Sequence, residues 1–171
     1  MAASLAGVLS LVVVFSGCAK GHTASQSRSS TNASSPPSYV TVCSVTQPSG
    51  SVQVDGSGSF NYGNERLRTI LWPHGTLRAG RLPNGGSYAT VRQDGSIRAK
   101  LGWWRSTPGT LTISGQRLDG PAPPLHADVP AGYGETGFQP TAIVFPSVGC
   151  WRIEGHLAGA ILEFVVRVVK V

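Results

Sequence analysis

From residue 39 onward, apolar and polar positions alternate in short runs with a period of two, and no stretch sustains a 3.6-residue period. Alternation of this kind places successive side chains on opposite faces of a strand. The runs are rich in Val, Ile, Leu, Thr and aromatic residues and are divided by Gly, Pro, Asn and Asp. The pattern predicts strands over 39–45, 67–72, 87–92, 96–105, 110–114, 141–145, 150–155 and 160–171. In the last of these, Leu162, Phe164, Val166 and Val168 alternate with Glu163, Val165, Arg167 and Val169. One face is wholly apolar and the other mixed, which suits a central strand. Gln93-Asp94-Gly95 predicts a hairpin between the third and fourth runs, because Asp-Gly accepts the positive φ values of a tight turn. Leu157 to Gly159 predicts a second, joining 150–155 to the last strand.

The opening of the chain has a different character. Leu5 to Phe15 is an almost continuous apolar stretch, followed by Ser16, Gly17 and Cys18 before the composition turns polar at Lys20. It is shorter than the roughly 20 residues that cross a bilayer, and small residues follow it, so it reads as an export signal. The tetrapeptide Phe15-Ser16-Gly17-Cys18 resembles the bacterial lipobox, in which small residues precede a cysteine that is acylated on sulfur and becomes the new N-terminus. The resemblance implies cleavage after residue 17 and lipid attachment at Cys18. Residues 18–38 are dominated by Ser, Thr, Ala and Gly and end in Pro36-Pro37. Such a composition makes a flexible tether with a reach of about 25 Å. The expected organisation is a signal peptide over 1–17, a lipid-anchored tether over 18–38 and one β domain over 39–171.

The chain has three cysteines. Acylation of Cys18 leaves Cys43 and Cys150 as a natural pair in an oxidising compartment. Joined across roughly a hundred residues, they would stabilise the fold by about 4 to 5 kcal/mol in the chain-entropy treatment; two buried free thiols are the alternative. About eight short strands in a domain of about 130 residues predict an all-β fold, a small two-sheet sandwich that is immunoglobulin-like if Cys43 bridges Cys150. A small barrel is the competitor. Trp151, next to Cys150, is expected to anchor the core against such a bridge.

Charge changes the picture little. The net charge is +6, and from residue 39 onward twelve Lys and Arg stand against eight Asp and Glu. A scattered basic excess suits an anionic membrane or wall polymer, and without a basic run or a recognition motif it does not suggest nucleic acid. Among potential metal ligands, His74 and His156 stand alone in sequence. His126 and Asp128 are the one close pair, and on a strand they would share a face. An envelope metal-handling protein or enzyme using His126 and Asp128 is the alternative reading, although no metal site is expected from so few ligands. There is no Gly-x-Ser-x-Gly elbow, and the eight acids are scattered, so no catalytic residues are assigned. No cofactor is expected: the glycines between Gly132 and Gly137 suit tight turns better than phosphate, because no helix start follows them.

The sharper candidates are aromatic. Trp103 and Trp104 would face opposite sides of a strand, one entering the core and the other remaining at the surface beside Arg105. With Trp72 and Tyr133 they form a possible binding surface, able to stack on a sugar ring or an aromatic side chain. The segments 118–125, Gly132-Tyr133-Gly134, 137–140, Phe145-Pro146 and Gly149-Cys150-Trp151, with Trp72-Pro73 and Gly102-Trp103-Trp104-Arg105, resemble a group of uncharacterised exported bacterial proteins. That resemblance implies an export address and an immunoglobulin-like β domain, and it brings no known activity. The expectation is a membrane-anchored extracytoplasmic lipoprotein, held by its N-terminal lipid, that serves as a binding or interaction module for a cell-wall polymer or envelope protein.

Overall fold

The alternation read from the sequence is carried into two long strands that face each other across the core. At one, Ile97, Ala99, Leu101 and Trp103 point inward and are buried; at the other, Leu162, Phe164, Val166 and Val168 do the same. The computed structural model describes residues 42–54, 58–81 and 89–171. The expected signal peptide, the tether and the anchor Cys18 lie outside the described residues, as does Tyr39.

In chain order the strands are β1 (Val52–Val54), β2 (Gly58–Phe60), β3 (Tyr62–Gly63), β4 (Leu67–Thr69), β5 (Thr76–Ala79), β6 (Ala89–Val91), β7 (Ile97–Arg105), β8 (Thr112–Arg117), β9 (His126–Asp128), β10 (Gly137–Phe145), β11 (Gly149–Leu157) and β12 (Ala160–Lys170). A single 3-10 turn at Pro73–Gly75 is the one helical element among the described residues. The fold is all-β and sandwich-like. One layer is built on the antiparallel pair β7–β10, flanked by β9 on the far edge of β10 and by β4 and β6 sharing the other edge of β7. The second layer is built on the β11–β12 hairpin, with β8 beside β11 and β5 parallel to the end of β12.

The layers are joined at both sides. β5 and β6 meet through the parallel pair Ala79 and Ala89. At the opposite side the amide of Leu125, just before β9, donates to the carbonyl of Gly115 in β8 at 3.1 Å. Between the layers Trp103 lies 6.0 Å from Phe164, centroid to centroid, and covers Gly155 of β11. A Cβ at residue 155 would stand 2.6 Å from the indole, so only glycine admits this approach. The indole N–H donates to Thr141 Oγ1 at 3.2 Å, and Thr141 in turn donates to the Leu101 carbonyl at 2.9 Å, which satisfies the polar atoms buried with the ring. β1 and β2 form a separate hairpin. Its Phe60 is fully buried against Trp104 and Phe138, on the outward side of the β7–β10 layer.

Cys43 and Cys150 form a disulfide with their Cα atoms 5.5 Å apart. Its position is set by alternation along β11. Trp151, Ile153 and Leu157 point inward, so Cys150 shares the outward face with Arg152, Glu154 and His156. The bridge therefore lies on the outside of its layer and does not cross the core as in antibody domains. Trp151 is a fully buried core anchor as expected, packed edge-on at 5.5 Å against Phe145 and not against the disulfide.

The expected strand over 39–45 is corrected: the described part of it, from Val42, is irregular. It lies beside β12 where β5 does not reach, tied by the Thr46 amide to the Val165 carbonyl and by the Val165 amide to Thr46 Oγ1, both at 2.9 Å. One backbone bond and one side-chain bond at a single residue do not make a strand. β1, β2, β3, β5 and β9 are too short, at two to four residues, to show a period. β10 begins four residues earlier than expected because Pro140 sits beyond the stretch that β9 pairs, where no neighbour requires its N–H.

Candidate functional site

The inward row of β7 runs Ile97, Ala99, Leu101, Trp103 and then Arg105, so a guanidinium closes an otherwise apolar file. Arg105 is only 4% exposed. Its Nη2 donates to the carbonyl oxygens of Tyr133 at 3.1 Å and Gly134 at 2.9 Å. Both carbonyls belong to the loop between β9 and β10. Gly132 and Gly134 sit there at φ +92° and +69°, a backbone course that side chains larger than glycine's resist. Gln139, two residues into β10 and equally buried, holds the same loop from the other side, with Nε2 donating to the Pro130 carbonyl at 2.9 Å. Together with the loop that leads from β7 to β8, these residues enclose a half-open cavity of about 480 Å³ at one end of the sandwich. Arg105, Leu111, Val129, Tyr133, Glu135 and Gln139 are among its walls, and Tyr133 stands at the rim, 46% exposed.

The electrostatics of Arg105 set it apart. Among the described residues no carboxylate lies within 4.0 Å of it, whereas Arg117 pairs with Asp119 at 2.7 Å and Arg152 with Glu154 at 3.2 Å. Arg105 Nε is closed to solvent and makes no hydrogen bond. Arg152 Nε also lacks a hydrogen bond but faces the Glu154 carboxylate. Burial works against the charged form of Asp119, but hydrogen bonds from Arg117 and the Cys150 backbone, with the nearby positive charge, outweigh it and hold that carboxyl below its usual range. Arg105 has no such counter-charge.

The structure divides the aromatic surface expected from sequence. Trp103 and Trp72 belong to the core, at 0% and 6% exposure. Trp104 takes the outward side of β7, half-buried beneath Phe60 at 6.1 Å and near the exposed Phe138 and Ile70. Arg105 and Tyr133 are brought together at the cavity, on the other side of the strand from Trp104. His126 and Asp128 do share the outward side of β9, both exposed. Arg98 and Lys100 line the same shallow groove as Asp128, a poor setting for a cation, and no group of three or more His, Cys, Asp or Glu gathers among the described residues. His156 instead meets Glu154 at 3.3 Å on the other layer, and His74 occupies the 3-10 turn.

Sequence reasoning missed Gln139, Leu111 and Val129 as site residues, and it placed Arg105 at the surface. The signal for Arg105 was present: strict alternation from Ile97 puts residue 105 on the inward side. The other residues carry no local signal, because they meet only when the two loops close on the end of β7. Compared with protein families, curated proteins and solved structures, the chain matches none.

Proposed function

We propose that the chain is a membrane-anchored extracytoplasmic lipoprotein whose β domain is a binding module of the cell envelope, receiving its ligand at the Arg105 cavity. One observation carries the binding reading: a buried guanidinium with an unpaired Nε and no carboxylate in contact among the described residues, lining an open cavity. Buried charges are ordinarily paired, and a charge left without a partner beside a ligand-sized space is one that a ligand completes. The address rests on the apolar segment and lipobox-like Cys18, and the Cys43–Cys150 disulfide supports it, since such bridges persist in oxidising compartments.

The address is tested by the intact mass of the protein recovered from bacterial membranes, with and without reduction. A chain beginning at acylated Cys18 and two hydrogens lighter before reduction is the expected result; an unlipidated chain in the soluble fraction sinks the anchored form. Binding is tested by retention on purified envelope polymer. Tyr133→Ala, at the exposed rim, should weaken retention while leaving the melting temperature unchanged. Retention that survives Tyr133→Ala and blockade of the cavity mouth moves the binding surface elsewhere.

A further inference from the structure

We infer that the Arg105 cavity recognises a monoanionic carboxylate on a compact, partly apolar body, as at the free C-terminus of a peptide two or three residues long. This rests on the reading of the domain as a binding module and names the chemistry that module takes. The loop bonds of Arg105 account for one nitrogen only: Nη2 serves the Tyr133 and Gly134 carbonyls, and neither Nη1 nor Nε has a protein acceptor among the described residues. Pinning two neutral carbonyls needs a donor but no charge, and Gln139 does the same work for Pro130 with a neutral amide. Among the described residues no carboxylate, Glu135 of the same loop included, lies within 4.0 Å of this charge, which leaves its contact to an anion in the adjoining cavity.

Three features narrow the anion. Nη1, the guanidinium nitrogen left to a ligand, gives a carboxylate oxygen a charge-assisted hydrogen bond. Glu135 is part of the wall, and its repulsion grows with the charge of the ligand, so a monoanion is favoured over a phosphate dianion. Leu111, Val129 and the Tyr133 ring offer apolar surface for a small body. Gln139 supplies the remaining element. Its Nε2 is committed to the Pro130 and Pro140 carbonyls, which fixes the amide's orientation and leaves Oε1 with no donor among the described residues. A carbonyl oxygen free to accept and a guanidinium Nη1 free to donate, on residues that line one cavity, are what a C-terminal carboxylate and its preceding peptide N–H would satisfy. A cavity of about 480 Å³ holds a ligand of that size.

The test titrates the full chain in detergent with N-acetyl-alanyl-alanine as the free acid and as its C-terminal amide, following melting temperature and the Gln139 side-chain resonances. The free acid should bind, and the amide should bind about tenfold more weakly or worse, as expected for loss of an ionic hydrogen bond. Glu135→Gln, an exposed change that leaves the fold intact, should tighten the acid about two- to fivefold through removal of one like charge. Arg105→Gln should abolish the preference for acid over amide. If Arg105→Gln fails to fold, Glu135→Gln still decides. Equal affinity for acid and amide, no response to either by wild type and Glu135→Gln alike, or tighter binding of inorganic phosphate than of the acid overturns the carboxylate assignment. In any of those cases, envelope polymer that still shifts Gln139 leaves the binding-module reading standing, whereas polymer that binds without touching the cavity residues removes the reading as well.

Discussion

At the scale of single residues, Trp103 bears the most weight. It spans the layers to Phe164 and Gly155, so Trp103→Ala should cost about 3 to 5 kcal/mol in urea denaturation. Gly155→Ala adds only a methyl group but drives it toward the indole and should cost about 1 to 3 kcal/mol, a larger loss than alanine ordinarily causes in a strand. A neutral result at residue 155 would mean that the indole can move aside. Acid sensitivity also belongs to this scale. The Asp119 carboxyl titrates below its ordinary value of 3.8, so its pairing with Arg117 stabilises the fold fully above that value and is lost as pH falls through the lowered folded one. Asp119→Asn should remove this contribution above pH 4 and flatten the acid limb of the stability curve below it. The change should be well under about 1 kcal/mol, because the pair is partly exposed and screened by solvent.

Turns and staples decide matters at the scale of elements. The hairpin between β11 and β12 places both Ala158 and Gly159 at positive φ, +46° and +79°, the geometry of the turn that matches strand twist. An alanine there is strained, and Ala158→Gly should raise stability by about 1 kcal/mol, read as a higher melting temperature. The disulfide holds an irregular segment against β12, and its reduction should lower stability by about 4 kcal/mol while releasing residues 42–46 to hydrogen exchange first. The β6–β7 and β11–β12 hairpins were legible in the sequence, at Gln93-Asp94-Gly95 and at Leu157 to Gly159, since a tight turn is written in two or three adjacent residues. Five of the seven short strands, β1, β2, β3, β5 and β9, were not, because two to four residues carry no measurable period; β4 and β6 fell within longer apolar runs.

For the whole molecule, the consequence of joining the layers at both sides is cooperativity. With β5 meeting β6 on one side and Leu125 meeting Gly115 on the other, neither layer can open without exposing the shared core. Tertiary and secondary signals should therefore vanish together in a single denaturant transition, measured by near- and far-ultraviolet circular dichroism; two separated transitions would show that the layers unfold independently. The same closure brings the β9–β10 loop to the end of β7, so the cavity exists only in the assembled domain.

The sequence by itself determined the all-β class, the inward face of β12, two tight turns and the main strand positions, because each depends on a local period or a turn, whereas the pairing of Cys43 with Cys150 needed the fold to bring them within reach. Tertiary structure decided on which face the disulfide lies and that the Trp104 patch is covered by Phe60. It also decided that Arg105, Gln139 and Tyr133 surround one cavity. Those outcomes depend on how distant strands cross and loops close, and alternation along one strand sets a side chain's direction without setting what it will meet.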